Sequence, residues 1–196
     1  MSEDPRFLRS REAILAAARV LLRDEGPSAV THQRVARAAA IGRATVYRHW
    51  SSPHELLLAV MATADLPFFQ DPTTPVRPWL HQQLRRLADE LTLPEVTAAA
   101  LTLLQQAQWN PQLAQQREHF LAAITQRLDA ALLLAVDTGE LQARSHLSDA
   151  TALLVGPILF RTTAQSSTAS DELLDHLLHT VGTWAPQPAR HHGPRQ

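Results

Sequence analysis

The chain has 196 residues, 45% hydrophobic and 19% charged, with a formal net charge of −1 and no cysteine. That length and apolar content support one large or two modest domains with a real core, and the lack of cysteine excludes a disulfide framework and thiolate metal sites and fits a reducing compartment. The apolar runs fall well short of the roughly 20 residues of a membrane span, and the opening segment with Glu3 and Asp4 lacks a signal-peptide core, so a cytoplasmic protein with no membrane partner is expected.

The first helix is signalled by Ile14, Ala17, Ala18, Leu21 and Leu22, an apolar stripe of helical period, with Asp4-Pro5 as its start and Gly26-Pro27 as its stop. Residues 31–50 then read as two short helices joined by a tight turn. Thr31 caps the first, Val35, Ala36 and Ala39 form its narrow apolar stripe, and Gly42 gives the sharp break before Arg43 opens the second. In that second helix Val46 and Trp50 sit four apart and face inward, which leaves Arg43, Ala44, Thr45, Tyr47, Arg48 and His49 on the other faces. Small residues that admit close approach, set among hydrogen-bond donors for phosphates and bases, make the pattern of a DNA-reading helix-turn-helix. Charge agrees: residues 1–64 hold nine arginines against six acidic residues and the remainder nine against thirteen, so the basic excess lies with the helix-turn-helix. Ser52-Pro53-His54-Glu55 is a capping box leading into Leu56, Leu57, Val60 and Met61.

Further along, Leu80, Leu84, Leu87 and Leu91 mark a helix after a connector containing Pro72, Pro75 and Pro78. Thr92-Leu93-Pro94-Glu95 reads as a second capping box, for a helix to about Gln108. Asn110-Pro111 caps a long helix bearing Leu113, Phe120, Leu121, Ile124, Leu128, Leu132 and Ala135, stopped by Gly139. Ser148-Asp149 opens a helix to about Gln165, and Ser170-Asp171-Glu172 a last one with Leu173, Leu174, Leu177, Leu178 and Val181. With no strand alternation and no internal repeat, the fold expected is all-α with about nine helices, and the tail 186–196 reads as disordered. The helix over 149–165 is apolar nearly all round from Leu153 to Phe160, so it needs cover on more than one side. A second subunit is a ready source of that cover; a central core helix of a monomer is the plainer alternative.

The stretch from Ile14 to Leu57 resembles the N-terminal domain of the TetR family of bacterial transcriptional repressors. The matches, in order, are Ile14-Leu15-Ala16-Ala17-Ala18, Glu25-Gly26, Thr31, Val35-Ala36, Ile41-Gly42-Arg43-Ala44-Thr45-Val46-Tyr47-Arg48-His49-Trp50 and Glu55-Leu56-Leu57. Two positions depart from the family pattern: glycine is usual where Ala40 stands, and serine or a similar cap where Gly42 stands. Gly42 is expected to take over the backbone freedom that Ala40 lacks. Gly156-Pro157-Ile158-Leu159-Phe160-Arg161 looks like the matching segment of one of the family's C-terminal subgroups. The resemblance implies a DNA-binding domain over 6–66, a ligand-binding and dimerisation domain over 67–185, a homodimer formed through the helices 149–165 and 171–184, an operator of double-stranded DNA and a small-molecule effector, with no cofactor.

For DNA the candidate residues are Thr31, His32, Gln33, Gly42, Arg43, Ala44, Thr45, Tyr47, Arg48 and His49; Tyr47 and Thr31, with Thr45, suit phosphates, and Arg43 a guanine edge with Ala44 giving close approach or touching a thymine methyl. For a mainly apolar, drug-sized effector they are Trp79, Gln105, Gln108, Trp109, Phe120 and Arg161, the last because a buried arginine requires an acidic partner. His176 and His179 have a spacing that suits metal, but with no further ligands nearby in sequence they read as solvated surface histidines. No Ser/His/Asp set or phosphate loop is visible, which speaks against the helical-bundle enzyme. The other alternative, a protein-interaction module with a degenerate helix-turn-helix, draws only on the departures at Ala40 and Gly42.

Overall fold

The computed structural model of the chain describes residues 5–61, 67–144 and 147–186. Asp4, the expected first cap, the proposed domain boundary beside 66 and the tail beyond Pro186 lie outside the described residues. Within them the chain forms α1 (Pro5–Glu25), α2 (His32–Ala38), α3 (Arg43–His49), α4 (Pro53–Met61), α5 (Val76–Glu90), α6 (Pro94–Gln106), α7 (Pro111–Asp137), α8 (Ala150–Leu159) and α9 (Asp171–Val181). Among the described residues the fold is all-α apart from one short antiparallel strand pair.

Local capping explains several of these starts. The Thr31 side chain accepts from the Arg34 amide, Asn110 accepts from the amides of Gln112 and Leu113, and Ser170 accepts from Leu173, each satisfying donors that a helix start leaves open. At α4 the Ser52 hydroxyl accepts from the Glu55 amide, but Glu55 reaches back to the amide and hydroxyl of Ser51 rather than closing on Ser52. Two expected caps are absent. The Thr92 hydroxyl donates back to the Asp89 carbonyl at the end of α5, so α6 starts without a side-chain cap. Asp149 follows directly from a 3-10 turn with φ −100° and ψ 2°, not the extended backbone that aims a cap at the helix. Beyond Leu159 the expected helix widens into a π turn, Phe160–Ala164, as the Thr162 and Thr163 hydroxyls bond back to the carbonyls of Ile158 and Leu159.

Among the described residues the strands form one antiparallel pair, β1 (Leu141–Ala143) and β2 (Gly182–Trp184), with Leu141 opposite Trp184 and Ala143 opposite Gly182. Three residues per strand leave no alternation to read, which is why the sequence showed none.

The core is continuous. Ile14, Ala18 and Leu22 of α1, Val35, Val46 and Leu56 pack the first helices, while Leu80, Leu84, Leu128, Leu132, Leu154, Ile158 and Leu174 fill the later bundle. α7 is long and apolar enough on average to cross a membrane, yet Ile124, Leu128, Leu132 and Ala135 recur at helical spacing and are buried in this core, and Arg117, Glu118, Arg127 and Asp129 interrupt it. α5 is tied to α9 by Arg77 to Asp175 at 2.9 Å and by Arg85 to Asp171 and the Ala169 carbonyl; the Arg85 guanidinium holds the Asp171 carboxyl below its ordinary value. α4 packs on α6, joining the helix-turn-helix to the bundle.

The turn between α2 and α3 corrects one expectation. Ala40 itself adopts the left-handed conformation, with φ +54°, while Gly42 stands in ordinary extended backbone at φ −64° and ψ 138°. The Ile41 amide bonds to the Ala36 carbonyl and the Ala40 amide to Arg37, the pairing that closes a helix with a left-handed residue. Alanine in that region costs roughly 1 kcal/mol against glycine. Ala40→Gly should therefore raise the melting temperature by a few degrees, read by thermal denaturation, because the hydrogen bonds stay and only the strain is lost.

Candidate nucleic-acid interface and internal cavity

α3 turns Val46 and Trp50 inward, both buried, and leaves Arg43, Ala44, Tyr47 and Arg48 exposed with Thr45 half-buried. Gly42 at its start and Gln33 on α2 are exposed, and Thr31 is half-buried. Arg43 and Tyr47 lie on one face: the Arg43 guanidinium carbon is 5.8 Å from the Tyr47 ring centroid. Beneath Tyr47 the His32 ring stacks at 4.1 Å and 14°, so the phenol is held from behind, while Arg43 lies over the ring and its Nη2 donates to the Tyr47 hydroxyl at 3.5 Å.

The two histidines in the candidate set have structural duties. His32 is buried and its Nε2–H donates to the Trp50 carbonyl at 2.9 Å, joining the start of α2 to the end of α3. The Ser10 hydroxyl donates to the Phe7 carbonyl, so the 2.8 Å contact between Ser10 Oγ and His49 Nε2 has the imidazole as donor. Nδ1 of His49 is then the unprotonated nitrogen, buried without a partner among the described residues. Burial, then the Arg48 and Arg11 charges, hold His49 below the ordinary imidazole pKa, so it is neutral at pH 7 and adds no charge to the surface of α3. Neither side chain stands free for DNA as Arg43 and Tyr47 do.

An internal cavity of about 90 Å³ lies between the turn after α1, α4, α5, α6, α7 and α8, with a wholly apolar inner surface. Of the six candidate effector residues, only Phe120 lines it. Trp109 is 84% exposed because the α6–α7 corner carries it outward, and Gln105 and Gln108 are exposed with it. Trp79 packs half-buried on α5, away from the cavity. Arg161 is exposed on the π turn and donates to Gln165 at 3.0 Å, so the buried arginine expected there does not exist. The volume is also below the roughly 300 Å³ of a drug-sized site, so a molecule of that size must part the helices.

Unforeseen from sequence is Glu90. At the end of α5 it is buried, lines the cavity and accepts from the Ser28 amide at 2.9 Å and the Ser28 hydroxyl at 3.2 Å, in the turn that leads into α2. The fit is close: Gly26 has φ +99°, and a Cβ there would lie 2.5 Å from Glu90 Oε1. One carboxylate thus touches both the cavity and the turn carrying the helix-turn-helix. Glu90→Ala should remove both hydrogen bonds to Ser28 and cost about 1 kcal/mol of stability in denaturant unfolding, with Gly26→Ala damaging the same joint.

Comparison with known proteins places this geometry. Residues 14–60 match the family model of bacterial regulatory proteins, tetR family, and residues 71–181 match the tetracyclin repressor-like C-terminal domain. The chain belongs to the tetR family of bacterial transcriptional regulators. An uncharacterised HTH-type transcriptional regulator of Mycobacterium tuberculosis is 30% identical over 183 residues, covering 91% of this chain and 89% of that protein. The regulator YdeS of Bacillus subtilis, also uncharacterised, is 29% identical over 180 residues, covering 89% and 88%. Among solved structures, the TetR family transcription regulator SCO0332 superposes with a TM-score of 0.55 at 25% identity, covering 87% of this chain and 94% of that one. The SmeT–triclosan complex shares the fold, with a TM-score of 0.54 at 21% identity, covering 95% and 100%. The tetR family is one of DNA-binding regulators, not of enzymes, and the degenerate-module alternative loses its support because Ala40 takes the backbone conformation the turn needs.

Proposed function

We propose that this tetR-family regulator is a cytoplasmic repressor that binds a palindromic operator as a homodimer and leaves it when a mainly apolar small molecule occupies the C-terminal bundle. The proposed DNA-binding unit spans 6–66 and the effector and dimer unit 67–185. The Arg43–Tyr47 pair, exposed on α3 over the buried His32, is the observation that carries the reading. Tyr47, Thr31, Gln33 and Arg48, with the amide at Gly42, serve phosphates, Arg43 takes a base edge and Ala44 and Thr45 allow close approach. His32 and His49 hold the motif in shape.

The dimer surface is the stripe Leu153, Gly156, Pro157 and Phe160 on α8 and its π turn, spaced along one face with Leu153 43% and Phe160 60% exposed. α9 adds its exposed Glu172, His176 and His179 as a polar margin, since its leucines are spent on the core. Release is a population shift. An effector seated beside Glu90, Pro27 and Met61 favours a conformation in which the two α3 helices no longer match the half-sites, and the shift cannot exceed its difference in affinity for the two states. SmeT, alike in fold, has been solved with triclosan, an instance of such an occupant.

Selection of bound DNA from a random pool tests this reading. Enrichment of an inverted repeat with half-sites about one helical turn apart, or wider if two dimers bind, is the expected outcome. Recovery of no sequence, or only of asymmetric single half-sites, contradicts it.

A further inference from the structure

Two charged residues, Glu90 and Arg117, line the cavity together with Thr151 and apolar side chains, and the two charges differ in one respect. Glu90 is engaged: both its oxygens accept from Ser28. Arg117, half-buried on α7, makes no hydrogen bond or ion pair among the described residues. It shares a helix face with Leu121 and Ile124, four and seven residues on, and burial falls along that face from Ile124 at 3% exposed to Leu121 at 41%. Leu104, 40% exposed on α6, also lines the cavity, so the open side lies between Leu104 and Leu121 with Arg117 beside it. Arg117 is half-buried beside an apolar inner surface, and a long cationic side chain in such a place lays its hydrocarbon stem on the apolar wall and turns its charge toward water.

We propose that the effector class is a lipophilic carboxylic acid, its chain in the cavity and its carboxylate paired with Arg117. This rests on the reading of the cavity as the effector site. A neutral apolar molecule would gain the same burial but leave the guanidinium unused, and a lipophilic amine would meet Arg117 as a like charge, the carboxylate of Glu90 being already engaged. A volume of about 90 Å³ takes about three methylene groups, at roughly 30 Å³ each by comparison with water, and further carbons lie along Leu104 and Leu121. A planar guanidinium fits a carboxylate with two parallel hydrogen bonds, the geometry that makes arginine selective for acids.

The probes are octanoate, octan-1-ol and octylamine, titrated at pH 7 into the full chain by calorimetry and, in parallel, into its complex with the selected operator by fluorescence anisotropy. Octanoate should bind the parent at least about tenfold more tightly than octan-1-ol and release DNA over the same range. Arg117→Met, which keeps the stem, should bring that ratio close to one with the alcohol's affinity unchanged, and Arg117→Glu should reverse the ranking in favour of octylamine. If acid and alcohol bind the parent alike and both release DNA, the acid class is wrong and the cavity remains the effector site. A ratio that survives Arg117→Met puts the acid-binding group elsewhere. Failure of all three probes to bind overturns both the acid class and the cavity as effector site, while DNA binding by the free protein stands or falls by the selection experiment.

Discussion

Phe160→Asp should turn the dimer into a monomer and lower affinity for the full operator by roughly 10²- to 10⁴-fold. Phe160 is 60% exposed in the single chain, so a carboxylate there meets water and the fold of the subunit stays intact. In the dimer the same carboxylate would be taken out of water against the partner's apolar stripe with no cation to pair it. The DNA consequence follows from geometry. Two linked α3 helices bind two half-sites with the second contact made intramolecularly, and a monomer forfeits that gain without losing any contact of its own. Sedimentation velocity and operator titration on one preparation check the result, with circular dichroism to establish unchanged helicity. A variant that stays dimeric would move the interface away from this stripe.

Arg43→Ala should cost about 1 to 3 kcal/mol of operator binding and relax preference at one position in each half-site. Arg43 is exposed at the first residue of α3, and its neighbours Gly42 and Ala44 carry too little side chain to keep it from a base edge. Tyr47→Phe, by contrast, should weaken all sequences alike, because a phenol held from behind by His32 addresses the backbone in one fixed direction. A panel of single-base operator variants separates the two. A common factor across the panel for Arg43→Ala would make that residue a phosphate contact.

The parts of this fold that could be read from the sequence are those decided within a few residues. Thr31, Asn110 and Ser170 act as caps because a short side chain reaches an amide two or three positions on, and the inward pair Val46 and Trp50 follows from helical spacing alone. Thr92 and Asp149 carry the same local signal, and the outcome there turned on how the preceding chain arrives. Contacts of long range left no such trace. Glu90 meets Ser28 across 62 positions, and the cavity draws its wall from several helices, so its actual polar members, Glu90, Arg117 and Thr151, had no pattern to reveal them. Trp109 and Arg161 misled for the opposite reason: large or charged side chains near helix ends drew attention, yet corners point such side chains outward. Ala40 shows how a tertiary setting overrides a residue preference, holding alanine where glycine is the easier choice.

The most direct measurement is the affinity of the parent protein, at one fixed salt concentration, for the selected inverted repeat and for the same duplex with one half-site scrambled, together with the number of chains bound per duplex. Two chains per intact duplex and a loss of about a hundredfold or more on scrambling are expected of a symmetric pair of α3 helices. One chain per duplex, with both DNAs bound equally well, would contradict that arrangement.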